Sequence, residues 1–176
     1  MEKAVALMGQ QVEQMQDLHR RLQHPLPEPV AQLSPKISKG EKYEGLPWVM
    51  LDFPRLFGRE DTWAIRTFFW WGHFFSITLH LRGSWKRQYE SSIQKHWSLL
   101  KEHAFYICIA DDEWQHHFGE SNYLPLHQMT DHSINELLSG NDFCKLSAKI
   151  SLEHWETANE KLVQLYQVLL QALGHD

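Results

Sequence analysis

The sequence has no long hydrophobic run. Nowhere do some eighteen apolar residues follow one another, so no membrane span is expected. The opening stretch, MEKAVALMGQQVEQMQDLHRR, lacks the apolar centre and small-residue cleavage site of a signal peptide, and the cytoplasm is the expected compartment. Cysteine is scarce: Cys108 and Cys144 stand alone in apolar, alternating segments with no C-x-x-C pair, and read as reduced core thiols. Cationic charge is also short, 17 Lys and Arg against 22 Asp and Glu, for a net charge of −5. Nucleic acid is therefore not an expected partner, since its footprint is strongly basic. The local basic group Arg82, Lys86 and Arg87 reads as a solvated helix start. The G-x-x-x-x-G-K-[ST], G-x-G-x-x-G and G-x-S-x-G patterns are missing, which disfavours P-loop phosphoryl transfer, dinucleotide binding and α/β-hydrolase chemistry. No motif requires a cofactor.

What is present is a globular composition, with 43% hydrophobic and 22% charged residues, plus eight tryptophans and twelve scattered histidines. A chain of 176 residues fits a single domain. Val5, Met8, Val12, Met15, His19 and Leu22 recur at helical spacing, and Pro25, Pro27 and Pro29 should stop that helix near Gln23. Residues 24–45, with Lys36, Lys39 and Lys42, read as an extended Pro/Lys-containing connection. Strand chemistry follows in 46–53, up to Pro54, then in 62–71 and 74–82 around Gly72-His73. Ser84 should cap a helix to about His103, and 104–110 should form a buried strand. A short helix capped by Asp131 or Ser133 should end at Gly140. Residues 143–152 alternate, with Lys145, Ser147, Lys149 and Ser151 on a wet side. Trp155, Ala158, Leu162, Leu165, Leu169 and Ala172 mark a last helix over 153–173. These elements predict an α+β fold: a mainly antiparallel sheet with the N- and C-terminal helices packed on one face, in two layers. The two helical stripes could instead form a homodimer surface.

Two groups carry candidate chemistry. A two-residue turn at Gly72-His73 would pair Trp71 with Phe74 and place Trp63, Thr67, Thr78, His80 and Arg82 on one aromatic-polar face. Apolar walls with a few placed polar groups suit a small molecule or a partner, with His80 as acid/base and Arg82 holding an anion. Alanine at His80 or Arg82 would then weaken binding and leave stability nearly unchanged. Arg66 would fall on the opposite, core face and need a carboxylate, for which Asp52 is available. The second group is Asp111, Asp112, Glu113, His116 and His117, just after a strand. These are residue types that a divalent metal takes and that a hydrolytic enzyme uses, although a solvated acidic turn has the same composition.

The run FFWWGHFFSITLHLRGSWKRQYESSIQKHW, residues 68–97, is similar in pattern to the middle of the YktB-like bacterial proteins. The shared features are two aromatic strands about Trp71-Gly72 and a following helix with Tyr89-Glu90 near its start. The resemblance implies an α+β fold and assigns no catalytic residue.

Overall fold

The computed structural model describes residues 1–175. Helix α1 spans Glu2–His19 and α2 is a single turn at Glu28–Ala31. Four strands follow: β1 (Lys36–Tyr43), β2 (Leu46–Phe57), β3 (Thr62–Trp70) and β4 (Phe74–Arg82). Helices α3 (Ser84–Gln94) and α4 (Trp97–Glu102) lead to β5 (Tyr106–Cys108) and β6 (Tyr123–Pro125). Helix α5 (Asp131–Gly140), β7 (Phe143–Ser151) and α6 (Ala158–Leu173) complete the chain. The strands form one sheet in the order β1-β2-β3-β4-β7-β5-β6, every recorded pairing antiparallel.

The terminal helices bury their stripes inside the chain. Ala4, Leu7, Met8 and Met15 of α1 and Leu162, Tyr166 and Leu169 of α6 share one core with the sheet residues Leu51, Ile65, Phe75, Ile77, Leu79 and Leu146. The α+β, antiparallel, helices-on-one-face architecture expected from the pattern is the one observed. The stripes that could have served a dimer are spent on this core. No helix among the described residues is long and apolar enough to cross a membrane.

Several boundaries differ from the sequence expectation. Residues 24–45 are not simply a connection: 36–43 is an edge strand paired with β2. Its lysines suit an edge, where charge discourages pairing with other chains. Strand β2 continues through Pro54 because the register shifts between Asp52 and Arg55, and a bulge tolerates a residue with no N–H to donate. The helix expected over 84–103 breaks between Gln94 and Trp97, and its N-cap position is Gly83 rather than Ser84. Lys86 in that helix is buried and paired with Glu90 at 2.8 Å, not solvated. Thr130 caps α5, its side-chain oxygen accepting from the Ser133 N–H. Both cysteines are free and buried.

The β3–β4 hairpin departs from the expected two-residue turn. Its turn holds three residues, Trp71-Gly72-His73, closed by Trp70 opposite Phe74, with Gly72 at φ +73°. Such loops need one left-handed residue, which glycine supplies without strain. The pairing is thus one residue off the expected one, with Ala64 opposite His80 and Arg66 opposite Thr78. With a side-chain period of two, that slip turns all of β3 over relative to β4.

Candidate functional site

Cross-strand pairing assembles the polar face. One row runs Ala64, His80, Lys145, and the next runs Asp52, Arg66, Thr78, Ser147, Tyr106. Of the hairpin residues expected on this face, Thr78, His80 and Arg82 are there. Trp63 and Thr67 lie on the opposite, helix-covered face, where Trp63 packs edge-on against Tyr89 at 6.4 Å and Thr67 is buried with its hydroxyl unpartnered. Arg66 takes their place, and its Nε donates to Asp52 at 2.7 Å. Asp52 is thus the carboxylate that the arginine required, on the polar face rather than the core face.

The face is covered. Residues 109–122, between β5 and β6, hold no helix or strand, and their ends meet where Ile109 N–H donates to the Asn122 carbonyl at 2.9 Å. A loop with joined ends, packed by its own side chains, is an Ω-loop; unstructured loops longer than about 12–15 residues are uncommon in compact domains and usually functional. Tyr43, at the end of β1, pins this one: its hydroxyl accepts from His116 N–H at 2.8 Å and His117 N–H at 3.1 Å.

The loop splits the acidic/histidine group. Asp111 and Asp112 are exposed, and Asp112 accepts from the Trp114 N–H at 2.9 Å. Glu113 is buried and turns down onto the sheet, accepting from His80 Nε2 at 2.6 Å with one oxygen and from Arg82 Nη1 at 2.6 Å with the other. The His116 ring lies against Phe68 and Tyr43, at 4.9 and 5.5 Å between centroids. His117 bonds Gln115 at 2.9 Å. Asp131 and His132, at the start of α5, are engaged elsewhere, Asp131 with Lys101 at 2.6 Å and His132 with Glu136 at 3.4 Å. Among the described residues, no three His, Cys, Asp or Glu side chains converge as a metal would require.

Protonation follows from these contacts. The His80 hydrogen bond and the Arg82 charge hold the Glu113 carboxyl below its usual range. Burial pushes the His80 imidazolium down, against the pull of Glu113. The pair is therefore a carboxylate and a neutral imidazole whose proton sits on Nε2, since an ionised carboxylate can only accept. Trp114 packs edge-on to the His80 ring at 5.1 Å and, with Phe57, flanks the Arg66 guanidinium.

Two groups on this face were missed in the sequence. Lys145 and Ser147 alternate as if wet, yet both are buried. Ser147 meets Thr78 at 2.7 Å between hydroxyls and donates to the Ile77 carbonyl. The Lys145 ammonium donates to the Gln115 carbonyl and lies over the Tyr123 ring at 5.3 Å, and it has no ion-pair partner among the described residues. Burial lowers its pKa to about 8. The Tyr123 hydroxyl is buried beside the Thr78 and Ser147 hydroxyls, and burial raises its pKa well above the usual value. Period-two alternation told which way Lys145 points, but nothing local told that a loop from elsewhere would cover it. Tyr43 carried no signal at all.

One opening reaches the buried cluster. A cleft of about 310 Å³ is lined by Arg82, Asp111, Glu113, Gly140, Asn141, Asp142 and Phe143. It meets the Glu113–Arg82 pair where the Arg82 side chain is 39% exposed.

The chain matches no family model, and no curated protein is significantly similar to it.

Proposed function

We propose that this protein binds a small molecule on the polar sheet face beneath the 109–122 loop, entering by the cleft beside Arg82. The observation that carries the reading is the concentration of costly polar groups there. A buried ammonium without a carboxylate partner, the Arg66–Asp52 pair and the Glu113–His80–Arg82 cluster lie under or beside an irregular loop, next to an opening. Polar groups that cost stability and face a cleft mark functional sites more often than structural ones. Two free, buried thiols support a reducing compartment, the cytoplasm.

The geometry also selects the variant that tests this. His80 is buried and bonded to Glu113, so replacing it by alanine removes a donor from a buried carboxylate and costs stability. Arg82 has its head at the surface, so it separates binding from folding more cleanly. Ligand-observed NMR with a panel of small carboxylates, amines and neutral fragments is expected to give binders that Arg82→Gln weakens at least about tenfold, about 1.4 kcal/mol. Binders held equally well by Arg82→Gln would place the site elsewhere.

A further inference from the structure

The Glu113 carboxylate sits on the polar face as a ligand would. It arrives from the irregular loop, not from the sheet, and its two oxygens are divided between the His80 imidazole and the Arg82 guanidinium, both at 2.6 Å. The cationic and imidazole donors of the face, Arg66, His80, Arg82 and Lys145, outnumber its carboxylates, Asp52 and Glu113. Asp52 is taken by Arg66, Glu113 is shared by two donors, and Lys145 has only a backbone carbonyl. The cleft ends on the Glu113–Arg82 pair, so a molecule entering it meets that fork first.

We infer that the His80–Arg82 fork is a carboxylate-binding site that Glu113 fills in the closed state, and that a small carboxylate ligand displaces Glu113 and takes its two hydrogen bonds. The inference rests on the proposed binding face and names its ligand class. Displacement swings the loop outward and leaves Lys145, whose hydrogen bond is to a loop carbonyl, facing the body of the ligand. Asp111 and Asp142 line the cleft and repel a dianion, while a monocarboxylate keeps the attraction of Arg82. Glu113 thereby sets the affinity: the ligand binds only the fraction of molecules in which the internal carboxylate has left, and its apparent affinity is reduced by that fraction.

The test is calorimetric titration of the full chain with acetate, glycine and inorganic phosphate, together with hydrogen exchange over residues 109–122. Acetate and glycine are expected to bind saturably and to lower protection across 109–122. Glu113→Gln, which keeps the shape and removes the competing charge, should tighten both by about tenfold or more. Adding Arg82→Gln to Glu113→Gln should abolish the gain. Tyr43→Phe, which frees the loop without touching the fork, should also tighten binding, and it serves if Glu113→Gln fails to fold. Affinities unchanged in both Glu113→Gln and Tyr43→Phe overturn the displacement. Phosphate bound as tightly as acetate overturns the carboxylate class. If carboxylates fail while other fragments still bind in an Arg82-dependent way, the ligand class falls and the binding face stands. If nothing in the panel depends on Arg82, both fall.

Discussion

Lys145 is held in the fold at a cost in stability. Its ammonium is buried under the loop, and dehydration drives its pKa down to about 8 because the carbonyl of Gln115 does not replace a carboxylate. Methionine has a similar length and nothing to desolvate. Lys145→Met is therefore expected to raise stability in urea unfolding at pH 7 by about 1 kcal/mol, net of the hydrogen bond lost at Gln115. It should also weaken binding of any ligand that reaches the polar face. A loss of stability instead would make Lys145 a structural tether of the loop. At this scale the sequence was partly legible. Asp52 was the right partner for Arg66, and Thr78, His80 and Arg82 do share a face. Trp63 and Thr67 were displaced from it by a single extra turn residue, a difference of backbone conformation at Trp71-Gly72-His73 that the strand pattern itself does not encode.

Among the elements, the junction of β4 and α3 is the tightest. Gly83 takes φ +64°, and a Cβ there would lie 2.6 Å from the Glu60 carbonyl oxygen and 2.3 Å from the Asp61 carboxylate. That carboxylate accepts from the Ser84 N–H at 2.5 Å, so it cannot move away without uncovering the start of the helix. Gly83→Ala combines left-handed backbone strain with a collision against main chain, and is expected to cost about 2 kcal/mol or more in chemical denaturation. Because Arg82 is the preceding residue, the variant should also disturb the cleft. The helices and long strands were readable because their periods are strong over many residues. The edge strand 36–43 and the three-residue strand 123–125 were not, because polar, lysine-bearing edge sequences and very short strands resemble connections until a partner strand is in place.

For the molecule as a whole, two half-buried imidazoles set the response to acid. Burial and the charges of Arg66 and Lys145 hold His116 down at about 2, and burial with the neighbouring His175 holds His19 down at about 4. Unfolded histidine titrates near 6.5. The unfolded chain therefore binds more protons than the folded one below that value. The stability that these neutral rings provide is complete above pH 6.5 and is lost as pH falls toward 4 and then 2. Glu113, held low by His80 and Arg82, pushes the same way at still lower pH. Urea midpoints are expected to fall from pH 7 to pH 5, with His116 alone contributing about 2 kcal/mol. His116→Phe preserves the ring packed against Phe68 and should remove about that much of the slope; an unchanged slope would mean that His116 titrates normally in the folded protein.

The sequence by itself determined the α+β class, the antiparallel hairpin, the inward-facing stripes of the terminal helices and the burial of both thiols. Each follows from local periodicity, because a repeat of 3.6 or of 2 fixes which side of an element is apolar whatever it packs against. Tertiary structure decided the rest. The three-residue turn set which side of β3 faces the site, and the return of residues 109–122 over the sheet turned a wet face into a buried polar cluster. It also brought Glu113 down between His80 and Arg82, residues 33 and 31 positions away in the chain. No local pattern encodes such a meeting, because it arises from chain closure between distant segments and from the cost of leaving charge unpaired once water is excluded.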